Sequence, residues 1–427
     1  MSLGLYISVP FCRTKCSYCN FASGVFSKSA YENYVARLLE DIANSRQLAL
    51  DLGCTLEETA DSIYLGGGTP SILDAAQLLR IFAVVRDRFR VTPDAEITVE
   101  CAPGTLTPAL IETLLHCGVN RVSLGVQSFV DREAQSVGRL HDRTTVLKDI
   151  ARLREAGLAN INIDLIAGLP HQTPESWAFS LSETMATGVP HVSVYMLEID
   201  NDSRLGRELI AGGARYHAHF VPDEDATADF YQQACETLDS AGIQQYEISN
   251  FARAAARLQN GEFQNHESRH NLKYWTRQPY LGFGVDAHSM LAADRSKGAS
   301  QQSARHQAAH EAMRFATPDA LDAYMNRAPH TVTPVAPQAA IEESFFLGLR
   351  LNRGIDLEGL RAVCTAAVSP GTVAAWESAI QQGVNDGLLE RQASTLRLTA
   401  RGRLLSNEVF AGFLLEEKVG TGHVNPR

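Results

Sequence analysis

Length, composition and charge define the broad class of this protein. The chain has 427 residues, is 45% hydrophobic and carries a formal net charge of −11. That length is typical of two or three domains with a substantial apolar core. A negative net charge without an extended basic stripe argues against nucleic acid or an anionic membrane surface as the principal partner.

The sequence also predicts a soluble, cytoplasmic protein. No stretch approaches the roughly 18 consecutive apolar residues of a membrane-spanning helix, and the start lacks the basic and apolar regions of a secretion signal. Single, scattered cysteines are typical of free thiols in a reducing compartment rather than of a disulfide framework. The cysteines of this kind are Cys54, Cys101, Cys117, Cys235 and Cys364.

In the first half of the chain, strand-like apolar runs alternate with stretches of helical periodicity. The predicted strands are 3–9, 61–66, 95–101, 119–125, 159–165 and 191–197, and the clearest helical patterns are 31–50, 75–89 and 143–156. Six such units in series predict an α/β fold with an open parallel sheet, because a closed eight-stranded barrel would need two more units. Polar chemistry is expected at the carboxyl ends of these strands.

The pattern changes near residue 292 and predicts three regions. They are a barrel domain with its extension at 1–291, a loop or linker at 292–333, and a carboxyl-terminal domain at 334–427. In the last region, helical runs at 341–351 and 373–382 precede a hairpin pattern, which predicts a small winged-helix-like α+β domain. Residues 331–427 hold nine basic and ten acidic side chains, so they present no electrostatic footprint for DNA. The tail from Gly420 is expected to be disordered.

Three cysteines follow the first predicted strand with the spacing Cys12-x3-Cys16-x2-Cys19. Iron–sulfur clusters of electron carriers are normally closed by four thiolates, so three thiolates predict a [4Fe-4S] cluster with one iron open to another molecule. A zinc site would require a fourth Cys or His, yet the first histidine is His116. An odd triplet suits disulfides poorly. A redox pair at Cys16 and Cys19 is the remaining alternative.

Further candidate residues stand where the predicted strands end. In chain order they are Gly66 to Pro70, Glu100, Gln127 with Ser128, and Asp164 followed by Gly168-Leu169-Pro170. Each alone is commonly a turn or a capping residue. Their repeated occurrence at successive strand ends indicates a ligand site along one edge of the sheet.

Together these motifs resemble the radical S-adenosylmethionine (SAM) superfamily. The cysteines have its C-x3-C-x-aromatic-C form with Tyr18 in the aromatic place, and Gly66-Gly67-Gly68-Thr69-Pro70 resembles its loop for the SAM amino group. The resemblance implies a six-unit partial barrel, SAM chelated to the open iron, and reductive SAM cleavage to a 5′-deoxyadenosyl radical. In the coproporphyrinogen-dehydrogenase branch, the matching SAM contacts are Tyr6, Gly67, Gly68, Thr69, Glu100, Gln127, Arg139 and Asp164. Some of these positions serve a second SAM molecule in that branch, so the resemblance is compatible with one or two SAM molecules here.

Three blocks after the sheet resemble the heme-chaperone group of that branch: 246–251, 270–275 and 282–289. In that group an H-N-x-x-Y-W block is implicated in holding heme, and its matching residues here are His270, Asn271, Tyr274 and Trp275. Imidazole is an ordinary axial ligand of heme iron, and the aromatic rings offer a flat apolar surface. Without the resemblance, a hydrogen-bonded core histidine would be the more common outcome.

The segment before this block departs from the group. Residues 254–268 are longer than the usual connection and are expected to form an inserted surface loop. The loop leads into His266-Glu267-Ser268-Arg269-His270, which formally matches the zinc-protease pattern H-E-x-x-H. That pattern requires a helix with an apolar opposite face, and the polar neighbours argue against it.

The resemblance leaves two functions of different class. One is a chaperone that binds heme, a [4Fe-4S] cluster and SAM and transfers heme to an apo-hemoprotein. The other is oxygen-independent coproporphyrinogen III dehydrogenase, a radical enzyme. That enzyme has a further cysteine two positions after the third and an amino-terminal arm, whereas this chain has Phe21 there and only five residues before Tyr6. Both differences favour the chaperone, and a simple electron carrier is disfavoured because it would not use the SAM-type residues.

Overall fold

The computed structural model describes residues 2–257, 263–294 and 311–415. The chain divides into two compact units, the first formed by residues 1–274 and 278–335, the second by 275–277 and 336–427. Parts of the predicted surface loop and linker, and the predicted disordered tail, lie outside the described residues. No helix in the described part of the chain is long and apolar enough to cross a membrane.

Six parallel β/α units form the centre of the first unit, so the predicted open parallel sheet is confirmed. Neighbouring strands follow one another in sequence order. The elements are β1 (Leu3–Val9), α1 (Lys28–Ala43), α2 (Ser45–Asp51), β2 (Thr59–Gly67), α3 (Ala75–Arg88), β3 (Arg90–Cys101), α4 (Pro108–His116), β4 (Arg121–Gln127), α5 (Asp131–Ser136), α6 (Arg143–Glu155), β5 (Ile161–Ala167), α7 (Pro174–Thr187) and β6 (His191–Met196).

Local sequence explains these elements. Strands β1, β4 and β5 are buried along almost their whole length, which matches their continuous apolar runs and the two covered faces of a parallel sheet. Helix α3 begins with a capping box, in which Asp74 accepts from the backbone of Gln77 and the Gln77 side chain accepts from the backbone of Asp74. Such a cap satisfies backbone donors that the first helical turn leaves unbonded.

The sheet continues on both sides of the six parallel strands. Strand β8 pairs antiparallel with β6, and β11 pairs parallel with β1 before the antiparallel strands β12 to β14, which gives twelve strands in all. The added elements are α8 (Arg204–Ala211), α9 (Glu224–Ser240), β7 (Ile243–Glu247), β8 (Asn250–Arg253), β9 (Ala256–Arg257), β10 (Phe263–Gln264), α10 (Arg269–Trp275), β11 (Tyr280–Phe283), β12 (His288–Ala292), β13 (Ala312–Ala316), α11 (Leu321–Met325) and β14 (Thr331–Val335).

The interpretation of 292–333 as a linker is therefore wrong for its described second half. Strands β13 and β14 lie there and belong to the main sheet. Strand β14 is the outermost strand, is exposed at four of its five positions and contains Pro334. Edge strands tolerate proline and polar residues because one side of the strand lacks a partner, so the sequence pattern of a buried strand is missing.

Helix α10 lies against the amino-terminal halves of β1 to β3. The Lys273 ammonium contacts the Ser2 carbonyl at 2.9 Å and the Asp61 carboxylate at 2.7 Å. The backbone N–H of His270 donates to the Glu96 carboxylate at 3.2 Å. Because α10 begins at Arg269, His266 precedes the helix and the H-E-x-x-H residues do not share one helical face.

The second unit is a small α+β domain with a three-stranded antiparallel sheet in the order β15-β17-β16. The predicted helices and hairpin are present, whereas a short strand and one helix between the two predicted helices were not anticipated. The elements are α12 (Pro337–Gly348), β15 (Ile355–Asp356), α13 (Leu357–Ala367), α14 (Pro370–Asn385), β16 (Leu389–Gln392), β17 (Thr395–Leu398), α15 (Ala400–Leu404) and α16 (Ser406–Ala411). Its core includes Phe345 stacked on Phe413 with ring centroids 4.4 Å apart.

Candidate functional site

The three motif cysteines lie on one loop directly after β1. The backbone N–H of Cys12 donates to Gly24 at 2.8 Å, and that of Cys19 donates to Cys16 at 3.3 Å. Tyr18 packs against a buried apolar cluster of Val137, Ile166 and Leu169. The aromatic residue of the motif therefore anchors the loop to the barrel.

Each thiol contacts a polar group from a nearby segment. Thr69 donates to the Cys12 sulfur at 3.7 Å, Arg139 donates to the Cys16 sulfur at 3.6 Å, and Ser23 contacts the Cys19 sulfur at 3.9 Å. Burial raises the pKa of the Cys12 and Cys19 thiols, and the neighbouring hydroxyl groups act in the opposite direction. Donors around a sulfur stabilise its thiolate form, which is the form that ligates metals.

The glycine loop after β2 runs against the cysteine loop. Backbone N–H groups of Gly68 and Thr69 donate to the carbonyls of Val9 and Phe11, each at 2.8 Å. A Cβ atom on Gly68 would lie 2.7 Å from the Phe11 carbonyl, and Gly67 has φ +102°. The two loops can approach this closely only because these positions have no side chain.

Two carboxyl groups face the interior of the sheet, that of Glu100 near the carboxyl end of β3 and that of Asp164 within β5. Burial, and secondarily the charge of Asp164, raise the pKa of Glu100 to about 7. Burial also raises the pKa of Asp164, against hydrogen bonds that include one from Ser123 at 3.0 Å. Tyr64 donates to Glu100 at 2.9 Å. Both carboxyls are therefore preformed acceptors in an environment that disfavours two full negative charges.

Gln127 and Arg139 complete the set of predicted SAM contacts. Gln127 ends β4 with φ +69°, a conformation that non-glycine residues rarely adopt and that is often found at functional sites. The Arg139 guanidinium bridges the Cys16 sulfur and the Gly125 carbonyl. The predicted residues on β1 to β5 thus meet at the carboxyl edge of the sheet.

The H-N-x-x-Y-W residues lie on α10. The His270 side chain is 1% exposed, and its two ring nitrogens contact Ser62 at 3.1 Å and Tyr274 at 2.9 Å. Burial, and secondarily Lys273, lower the pKa of His270 to about 3, so its imidazole is neutral. The Arg350 guanidinium lies over the Trp275 ring, with its Cζ atom 4.2 Å from the ring centroid. In this conformation His270 offers no nitrogen to an external iron.

A cavity of about 370 Å³ opens at the carboxyl ends of β1 and β11. It borders Gly67 of the glycine loop and Phe21 of the cysteine loop. Its other lining residues are Tyr6, Ser8, Ala22, Tyr274, Tyr280, Val285, Asp286 and His288. Two residues predicted for SAM and one predicted for heme therefore line the same space.

Sequence reasoning did not select three residues as parts of the site. Arg121 is 2% exposed, its Nε atom finds no hydrogen-bond partner among the described residues, and its charge lowers the pKa values of Glu100 and Asp164. Asp286 and His288 line the cavity. Arg121 begins an apolar strand, where a charged residue is commonly solvated. Asp286 lies in the turn between β11 and β12 and His288 directly follows it, so only the fold reveals that they line the cavity.

Comparisons with known proteins agree with this architecture. A family model of the radical SAM superfamily matches residues 6–182, and one of the HemN C-terminal domain matches residues 335–405. The solved structure of coproporphyrinogen III oxidase (HemN) from Escherichia coli, described as a radical SAM enzyme, superposes with a TM-score of 0.76 over 96% of this chain and 90% of that chain. Its sequence identity is 23%, so this likeness shows the fold alone.

Curated relatives narrow the assignment. The chain is 30% identical to the heme chaperone HemW of Bacillus subtilis, over 96% of this chain and 99% of that protein. It is 28% identical to the heme chaperone HemW of Escherichia coli, over 97% and 98% of the two chains. Fold and matches together define a radical SAM protein with a HemN-type carboxyl-terminal domain. Within that class, the chain belongs to the HemW family.

Proposed function

We propose that this protein is a cytoplasmic heme chaperone that binds heme, a [4Fe-4S] cluster and SAM and delivers heme to an apo-hemoprotein. The observation that carries the proposal is the near full-length similarity to proteins named heme chaperone HemW. Membership of the radical SAM superfamily implies the cluster and SAM.

The side chains present fit these two cofactors. Cys12, Cys16 and Cys19 would hold three irons, and the contacts of their sulfurs with Thr69, Arg139 and Ser23 would stabilise the thiolates. Because Gly67 and Gly68 have no side chains, the glycine loop lies directly against the cysteine loop and would present its backbone groups to a ligand of the open iron. When bound, the reduced cluster supplies the electron for reductive cleavage of SAM.

Residues at the strand ends would orient SAM. Glu100 and Asp164 would accept hydrogen bonds from the ribose hydroxyl groups of SAM, and the Arg139 guanidinium would pair with the SAM carboxylate. Tyr6, Thr69 and Gln127 would complete the contacts. The buried positive charge of Arg121 would keep both carboxyl groups available as hydrogen-bond acceptors.

The alternative is oxidative decarboxylation of coproporphyrinogen III, supported by the HemN-type fold. Phe21 disfavours it, because an apolar side chain that is 62% exposed at the cavity replaces the dehydrogenase's further cysteine. An exposed phenylalanine ring beside a cavity is better suited to an apolar macrocycle than to redox or metal chemistry.

One experiment separates the two functions. Anaerobically reconstituted protein is titrated with hemin at the Soret band and, in parallel, incubated with coproporphyrinogen III, SAM and a reductant. The chaperone proposal expects stoichiometric heme binding, heme delivery to an apo-hemoprotein and no protoporphyrinogen. Formation of protoporphyrinogen without heme binding would contradict it.

A further inference from the structure

Heme needs a ligand for its iron and a flat apolar seat, and the conformation of His270 supplies neither. The imidazole is enclosed by Gly4, Tyr6 and Tyr64, with its Cε1 atom 3.3 Å from where a Cβ on Gly4 would lie. Both ring nitrogens already have partners, Ser62 on β2 and Tyr274 on α10. A porphyrin cannot reach Nδ1 without displacing Ser62 of β2, and it can reach Nε2 only if Tyr274 gives up its hydrogen bond.

We propose that His288 is the axial ligand of heme iron and that heme enters the cavity lined by β1, β11 and the turn that follows β11. This inference rests on the proposed heme-binding function and assigns the ligand for it. His288 lines the cavity and its side chain is 70% exposed, so an incoming iron can reach its imidazole without any rearrangement of the core.

A rigid turn holds His288 at this place. The turn between β11 and β12 contains Gly284 with φ +95° and Asp286 with φ +55°. The backbone N–H of Asp286 donates to Pro318 at 2.9 Å, and that of Ala287 donates to the Thr317 hydroxyl at 2.8 Å. His288 begins a strand that directly follows this tethered turn, which fixes its backbone position.

Asp286 supplies the partner that an iron-ligating histidine usually has. Its carboxylate lies 3.7 Å from the His288 Nε2 atom. Carboxylates next to metal-bound imidazoles fix the tautomer and the ring orientation and raise the basicity of the ligating nitrogen. With Nε2 turned to Asp286, Nδ1 is the nitrogen that would bind iron.

The surrounding side chains favour a flat apolar cargo over a free metal ion. Tyr274, Tyr280 and Val285 form walls of the cavity, and Phe21 stands exposed at its edge. One histidine and one carboxylate are too few ligands for a structural zinc site. Heme brings four ring nitrogens to its iron and needs only axial ligation from the protein, and covering Phe21 would remove apolar surface from water.

The test uses full-length, cluster-loaded protein without a polyhistidine tag, titrated with hemin. His288→Gly should weaken heme binding at least tenfold and abolish the histidine-ligated Soret and electron paramagnetic resonance spectra, and added imidazole should restore the spectra. Asp286→Asn should retain ligation with a smaller loss of affinity. His116→Ala, an exposed histidine at the end of α4, is the matched control and should bind like the wild type.

The outcomes separate this inference from the function on which it rests. Wild-type affinity and spectra in His288→Gly would overturn the ligand assignment while leaving heme binding intact. Loss of the heme spectrum in His270→Gln with retention in His288→Gly would move the ligand to the H-N-x-x-Y-W block. Wild-type protein that binds no heme would instead refute the proposed function. Iron and sulfide content and circular dichroism verify that each variant is folded.

Discussion

The pKa values of Glu100 and Asp164 reflect two carboxyl groups buried in the same interior, near the buried guanidinium of Arg121. Burial raises both pKa values, the charge of Asp164 adds to the shift of Glu100, and the charge of Arg121 lowers both pKa values. Such a site holds its acceptors in place before the ligand arrives. The arrangement therefore lowers the stability of the unliganded protein when both carboxyls ionise.

This leads to a prediction about pH. The pKa of Glu100 is about 7 in the folded chain and 4.5 in its ordinary state, so between these values the folded state holds a proton that the unfolded state releases. The resulting stabilisation is complete below pH 4.5 and is lost as pH rises through 7, about 3 kcal/mol in total. Glu100→Gln cannot ionise and should lack this loss.

Urea unfolding of the cluster-free wild type and Glu100→Gln at pH 5, 6, 7 and 8 measures the effect. The free energy of unfolding of the wild type should fall relative to that of Glu100→Gln as pH rises. Parallel pH profiles for the two proteins would show that Glu100 ionises normally.

A second prediction concerns the cysteines. Cys12, Cys16 and Cys19 should each be necessary for a complete cluster, because loss of one thiolate opens a second iron. Cys54, Cys101 and Cys117 are buried far along the chain from the motif loop and should be dispensable. Bound iron and sulfide in single Ala variants are the measurement, and full cluster content in Cys16→Ala, or zinc in the site, would contradict the assignment.

A third prediction addresses Arg139, which joins the Cys16 sulfur to β4. Arg139→Met keeps the apolar stem but removes the charged donor, and should cost about 1.5–3 kcal/mol of SAM affinity, the usual value for a hydrogen bond to a charged partner. The SAM-induced change in the electron paramagnetic resonance spectrum of the reduced cluster gives the affinity. Arg143→Met, which removes an exposed ion pair with Glu183, is the matched control. Equal SAM affinity in Arg139→Met and wild type would argue against this role.

At the scale of elements, helix α10 packs against the sheet through buried polar contacts and does not present His270 to a ligand. Lys273 is 1% exposed and holds the helix to β2 through Asp61. Removing one partner of a buried charge pair commonly costs 3–5 kcal/mol, because the other charge stays buried. Lys273→Met should therefore lower the free energy of unfolding by about 3 kcal/mol.

The double variant Lys273→Met with Asp61→Asn should regain part of that loss, since it leaves no unpaired charge. Lys148→Met on the exposed face of α6 provides a control with the same side-chain change. Equilibrium unfolding in urea compares the four proteins. An effect of Lys273→Met no larger than that of Lys148→Met would show that the pair is not stabilising.

The elements also show what the sequence could and could not predict. Strands β1, β4 and β5 are predictable from the sequence because both of their faces are covered and their apolar runs are continuous. The sequence pattern misses β13 and β14, because β14 is an edge strand exposed at four of its five positions and β13 beside it is fully buried at only two of five. His270 was selected from a resemblance, but its burial depends on contacts with Ser62 and Tyr274, which a linear motif cannot reveal. His288 became a candidate only when the fold placed it on the cavity wall.

At the scale of the whole molecule, the proposed SAM and heme sites share a wall. Tyr6, Ser8 and Gly67 line the cavity proposed for heme, and Tyr6 and Gly67 were also predicted to contact SAM. Two ligands that order the same side chains change each other's affinity, and the factor must be equal in both directions. The proposed cluster site also adjoins this cavity, because Phe21 and Ala22 of the cysteine loop line it.

The last prediction follows from this shared wall. Saturating SAM should change the dissociation constant for heme by about 5-fold or more, the lower end of typical coupling between sites, and saturating heme should change the SAM dissociation constant by the same factor. Cys16→Ala, which should lose the cluster and with it the chelation of SAM, should still bind heme but lose the SAM dependence. Hemin titrations with and without SAM, and SAM titrations with and without hemin, give the two factors. Independent affinities in the wild type would place the two ligands in separate sites, even if both bind.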